Sequence, residues 1–204
     1  MIPAVTLAIS YLIGAIPFGY FLVKWKTGQD IRQSGSGNIG ATNVLRTTGR
    51  SAGVITLLLD IAKGFVAVWI AGWLIPDDPY LLWRSAAALA VMAGHAFPIF
   101  LNFKGGKAVA TFIGAFLYLA PISLLAVLIL FVAVVAYTKY ISLGSIIAAG
   151  TFPFAVWLIL HPPAPAWIAA LIAGAFIVYR HKANIQRIRA GTEHVFSFGG
   201  KRAG

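Results

Sequence analysis

The chain contains no cysteine, which excludes disulfides and a thiolate nucleophile and leaves the redox compartment open. It is almost as poor in acid. Asp and Glu number 5 against 16 Lys and Arg, so few carboxylates could orient a serine–histidine pair. It also lacks any long polar stretch: no linker, low-complexity tail or second domain is discernible, and 1–204 reads as one unit. No internal repeat is visible, which weighs against a transporter built from repeats. What is present is hydrocarbon. Hydrophobic residues make up 60% of the chain, charged residues 10%, and the mean hydropathy is +0.87. A soluble domain of 204 residues has no interior large enough for that surface, so the solvent is lipid. The net charge of +11 does not signal nucleic acid, because the basic residues border apolar runs and mark membrane topology instead.

Apolar stretches fall at about 3–23, 52–75, 81–102, 108–120, 121–138, 143–160 and 166–179. The first lacks a basic leader region and is long enough to span, so it is expected to be a retained helix. Pro121 divides 108–138, and His161-Pro162-Pro163-Ala164-Pro165 divides 143–179, because proline removes a donor and clashes with the preceding turn. The expectation is an all-α integral membrane protein with seven transmembrane helices, some short. Treating each divided stretch as one helix would give five. With the amino terminus outside and the carboxyl terminus cytoplasmic, 14 of the 16 basic residues face the cytoplasm, Lys201 and Arg202 among them. Only Arg84 lies near the outer face, with Asp77 and Asp78. That asymmetry follows the positive-inside rule.

Three polar islands interrupt the oil, all on the cytoplasmic side of this topology: Ser34–Arg46, Gly94–Thr111 and Arg180–Arg187. The first contains Gly35-Ser36-Gly37-Asn38-Ile39-Gly40, a G-x-G-x-x-G spacing, with Asp60 at the distance of a dinucleotide-binding acid. No strand precedes it and Asp60 lies in a transmembrane stretch, so this is not a Rossmann site. Its chemistry is local: glycines that bare backbone N–H groups, donors on Ser36, Asn38, Thr42 and Asn43, and the bidentate cation Arg46. In the second island Lys104-Gly105-Gly106-Lys107 precedes a helix start near Ala108. Leu101 and Ala108 break the P-loop pattern, but a helix N-terminus beside two lysines still suits an anion. His95, alone, reads equally well as a structural histidine. In the third island His181 and Asn184 share a helical face, and a basic stop after the last span does not account for them. Asp60 and Lys63, three apart in one span, read as an intrahelical ion pair. No metal-ligand spacing links His95, His161, His181 and His194, and neither a metal nor a cofactor is expected.

These segments, in this order, resemble those of the bacterial acyl-phosphate:glycerol-3-phosphate acyltransferases, the PlsY family, whose patterns are GSGNxGxTNxxR, GHxxPxFxxFKGGKxVAT and RHxxNIxR. The match covers essentially the whole chain, including the Lys139-Tyr140-Ile141-Ser142 turn. The resemblance implies transfer of a fatty acyl group from acyl phosphate to the 1-hydroxyl of glycerol 3-phosphate, giving lysophosphatidic acid and phosphate at the cytoplasmic face of a bacterial inner membrane. It implies a substrate-assisted mechanism, with a phosphate oxygen taking the hydroxyl proton. Ser36, Gly37, Asn38, Gly40, Thr42, Gly105 and Gly106 would hold the acyl phosphate. Arg46, Lys104, Lys107, Ser142, His181 and Asn184 would hold glycerol 3-phosphate, with Lys104 between the phosphates and Lys104, His181 and Asn184 the catalytic set. The partners would be these two substrates and membrane lipid, without nucleic acid, and a monomer would suffice. The His-x4-Asp motif of other glycerol-phosphate acyltransferases is absent. A membrane transporter for a phosphorylated anion is the main alternative from another class. An intramembrane serine protease is disfavoured because Ser36 stands in a glycine loop.

Overall fold

The computed structural model describes residues 1–196; Lys201 and Arg202 lie outside them. The described residues are helical and include no strand. Helix α1 (Ile2–Ala15) breaks at Pro17 and continues as α2 (Phe18–Thr27). A polar loop leads to α3 (Ala41–Thr48), which turns at Gly49 into the long α4 (Arg50–Leu74). Then follow α5 (Leu82–Ala96), α6 (Val109–Leu119) and α7 (Pro121–Thr138). The last three are α8 (Ile141–Leu160), α9 (Ala164–Arg180) and α10 (Lys182–Arg189).

Each break falls where the sequence demands it. Pro121 starts α7 at its first helical position, where proline's missing N–H costs nothing. His161 closes α8 in the left-handed region before the prolines. Both divisions expected at 108–138 and 143–179 are therefore present, and neither stretch is one continuous helix. Five helical segments are long and apolar enough to cross a membrane, or six if α9 and α10, bent by 53°, count as one span. Helix α6 is the short one. Its 11 residues rise about 16 Å, half of the ~30 Å hydrocarbon core.

Lipid offers no hydrophobic drive between helices, so they associate through close packing. Small residues mark the tightest seams. Gly14 of α1 meets Gly94 of α5, and a Cβ on either would overlap backbone of the other helix. Gly64 of α4 and Gly114 of α6 do the same, which lets α6 nestle against α4. Beneath, Phe112 and Phe116 each pack edge to face on Phe152 with centroids 4.8 Å apart, and tilt against each other at 4.9 Å. The outer surface is apolar, with Leu58, Trp69, Ile129, Val132, Phe154 and Leu158 all exposed, as a lipid-facing wall should be.

Candidate active site

Four helices begin at one place. The N-terminal residues of α3 (Gly40, Ala41, Thr42), α6 (Ala108, Val109, Ala110), α8 (Ile141, Ser142) and α10 (His181, Asn184) all line a single cavity of about 150 Å³. Helix N-termini carry unpaired N–H groups and the positive end of the dipole, so their convergence favours an anion before any side chain is counted. Side chains reinforce this. Ser36, Asn38 and Thr42 bring neutral donors to the wall, and Arg46, Lys107 and Arg187 bring cations.

The loop of the first island is held open by its own amides. Asn43, buried, accepts from Ser36 N–H (3.0 Å) and donates to the carbonyls of Ser34 (3.0 Å) and Asn38 (2.8 Å). Asn38 Oδ1 accepts from Gly40 N–H at 2.8 Å. Asn43 is thus an internal pin, with its hydrogen-bonding capacity spent on shaping the loop. Gly35 and Gly37 take positive φ, 58° and 70°, the left-handed turns that only glycine adopts freely.

The second and third islands interlock. Arg180 donates to the carbonyls of Gly106 (2.8 Å) and Gly105 (3.2 Å), while the N–H groups of Gly105 and Gly106 donate to Ala96 and His95 carbonyls at 3.2 and 3.0 Å. Those glycine amides, expected to bind phosphate, are already committed to backbone. The turn instead delivers Lys107, whose Nζ donates to Asn184 Oδ1. Burial first, and the positive charge of Arg187 second, push the Lys107 amine down to about 8. His181 donates from Nδ1 to the Ile177 carbonyl at 2.7 Å, because a carbonyl can only accept.

Glu193, which sequence reasoning passed over, ties the far side together. Its carboxylate accepts from Ser142 Oγ (2.9 Å), Asn184 Nδ2 (2.8 Å) and Arg187 Nε (2.8 Å). Burial would raise its pKa, but these hydrogen bonds outweigh that effect and hold the carboxyl below its ordinary value. Phe196 N–H donates to the Lys139 carbonyl at 2.8 Å, so the tail is strapped across the α7–α8 turn. One signal was available: Glu193 is the only acid after Asp78, set in a basic tail.

Ser36, Asn38, Gly40, Thr42, Arg46, Lys107, Ser142, His181 and Asn184 therefore line one cavity, whereas Gly37, Lys104, Gly105 and Gly106 do not. Lys104 is exposed, because the turn directs successive lysines to different sides. The cavity is continuous with a second, apolar groove of about 410 Å³, the two sharing Thr42, Leu57, Val109, Ile141, Ser145 and Phe196. Phe112, Ile113, Leu124 and Phe131 extend the groove into the bundle. Among the described residues no cluster of His, Cys, Asp and Glu could hold a metal.

Comparison with known proteins fits this geometry. The profile of the glycerol-3-phosphate acyltransferase family matches residues 4–191. A glycerol-3-phosphate acyltransferase of Geobacter sulfurreducens is 48% identical over 189 residues, covering 93% of this chain and 95% of the relative. One from Clostridioides difficile is 45% identical over 188 residues, 91% of each chain. Crystal structures of PlsY, an integral membrane glycerol 3-phosphate acyltransferase, superpose with TM-scores of 0.90 in a glycerol 3-phosphate form, at 35% identity over 96% of both chains, and 0.86 in a lysophosphatidic acid form, at 34% identity over 96% and 95%. With sequence and fold agreeing along nearly the whole length, this chain belongs to the glycerol-3-phosphate acyltransferase family.

Proposed function

We propose that the chain transfers a fatty acyl group from acyl phosphate to the 1-hydroxyl of glycerol 3-phosphate, releasing lysophosphatidic acid and inorganic phosphate. The observation that carries this reading is the polar cavity at four helix N-termini opening into an apolar groove. Two phosphates need the first and a fatty chain needs the second. A transporter would place such polar groups at broken helices in mid-membrane, whereas these sit together at helix ends.

In this scheme Ser36, Asn38, Gly40 and Thr42 hold the acyl-phosphate head at the start of α3. Arg46, Ser142, His181 and Asn184 hold glycerol 3-phosphate. Lys107 takes the place between the two phosphates that Lys104 was expected to fill, because Lys107 lines the cavity and Lys104 is exposed. The glycerol oxygen attacks the acyl carbon, the bond from that carbon to the phosphate oxygen breaks, and the departing phosphate takes the hydroxyl proton. An acyl phosphate is already activated, so positioning and electrostatic stabilisation suffice. His181 orients substrate in this scheme. The chain works as a single domain of seven spans in a bacterial inner membrane, α6 being the short span, with its amino terminus outside and the site at the cytoplasmic face. A monomer contains every residue named.

The test is direct. Purified protein given acyl phosphate and labelled glycerol 3-phosphate should form labelled lysophosphatidic acid and stoichiometric phosphate. Folded protein that forms neither would refute the reading.

A further inference from the structure

Two ionisable side chains of the membrane-spanning helices reach the wall of the polar cavity without a part in the reaction scheme. They are Asp60 of α4 and His95 of α5, and with Lys63 they form a cluster inside the bundle, each no more than 4% exposed. Ionisable groups at this depth are costly and are kept where they serve a function. Lys63 Nζ lies 2.7 Å from Asp60 Oδ1 and donates to the Ile16 carbonyl (2.9 Å) at the break between α1 and α2. His95 Nδ1 lies 3.6 Å from the same carboxylate oxygen and has no hydrogen-bond partner among the described residues. The His95 ring rests against Gly106, where a Cβ would overlap it. The His95 carbonyl accepts the Gly106 N–H at 3.0 Å. The next residue is Lys107.

We propose that Asp60, Lys63 and His95 are positioning residues that set where Lys107 stands, acting through the Gly105–Gly106 turn. Lys63 balances the carboxylate and anchors it to α1. The carboxylate orients the imidazole, and the ring gives Gly106 a flat wall. Arg180 closes the turn from the opposite side by holding both glycine carbonyls. The glycine at 106 is required by the missing space beside the ring. A displacement of about 1 Å in a charge that meets the transition state costs on the order of 100-fold in rate, so a rigid support for Lys107 matters to catalysis. The kinetic part of this inference rests on the acyltransferase reading; the placement of Lys107 does not.

The experiment reads Lys107 itself. Modification by an amine-selective reagent, followed across pH by peptide mass spectrometry, gives its titration midpoint in the full-length protein. Arg187, Glu193, Arg180 and Arg46 share its field, and all stay unchanged. Wild type should titrate near 8. His95→Ala, Asp60→Asn and Gly106→Ala should each move the midpoint up towards the ~10.4 of a solvated lysine. Each should lower kcat at least about tenfold while KM changes less. His95→Ala and Gly106→Ala disturb one contact, so the double variant should lose no more than the worse single. Thermal unfolding in detergent identifies folded variants, and Gly106→Ala carries the same test if His95→Ala does not fold. An unchanged Lys107 midpoint in folded variants, or additive losses, overturns the proposal. Absence of acyl transfer in wild type would sink the reaction scheme while leaving the labelling result to stand or fall separately.

Discussion

At the scale of single residues, the lysines after Phe103 separate by environment. Lys107 is lowered to about 8 by burial and then by neighbouring charge, and Lys104 is exposed. Lys107→Ala should therefore reduce kcat/KM by at least ~100-fold, about 2.7 kcal/mol of transition-state stabilisation, while Lys104→Ala stays within about threefold of wild type. Steady-state kinetics checks both. The lysine is a cation below its pKa, so activity should be full below about 8 and fall as the pH rises through it. Lys107→Arg, cationic throughout, should abolish that basic limb. Glu193 acts on stability. Its folded pKa lies below the ordinary 4.5; its contribution is therefore complete above that value and lost as pH falls through the folded one. Glu193→Gln should lower the unfolding free energy by roughly 1–3 kcal/mol, because Ser142, Asn184 and Arg187 lose a shared charged acceptor. The unfolding transition in detergent should also lose part of its pH dependence in the acid range, the remainder coming from carboxyls such as Asp30, which Arg32 holds low.

At the scale of elements, function depends on where helices start. Helices α3, α6, α8 and α10 each deliver an N-terminus to one cavity, and α6 can do so because it is short and seated tightly on α4. Gly114 faces the Ile61 carbonyl with no room for a Cβ. Gly114→Val should force α6 away from α4 at a cost of about 1–3 kcal/mol and reduce activity through the displaced start of α6. Circular dichroism melts combined with turnover measure both. The element boundaries were largely readable from the chain: Pro121 and the His161–Pro165 run end helices for a local backbone reason, and the structure breaks there. The loop roles were less readable. Gly105 and Gly106 look from sequence like phosphate-binding amides, yet their N–H groups bond to Ala96 and His95, a pairing set by residues at the end of the preceding helix.

At the scale of the whole molecule, topology is open to experiment because the chain has no cysteine. Single cysteines at exposed Asp77 and Thr47 should divide cleanly: a membrane-impermeant thiol reagent on intact cells labels Asp77→Cys and spares Thr47→Cys until the membrane is opened. The reverse pattern would invert the proposed orientation. Composition alone fixed the solvent, since an interior of this size cannot hide 60% hydrophobic residues. Proline placement fixed the breaks, and charge asymmetry together with three glycine, amide and basic islands pointed to a one-sided anion site. Those are properties of residues and their near neighbours, and so they survive in a linear text. Only the tertiary structure decided which lysine enters the cavity, that Asn43 pins a loop, that Glu193 organises Ser142, Asn184 and Arg187, and that the His95 ring rests against Gly106. The Lys107–Asn184 and Ser142–Glu193 contacts join segments distant in sequence, and the Asn43 contacts depend on a loop fold that residue types alone leave open; in both cases packing and burial choose among side chains that local chemistry leaves equivalent.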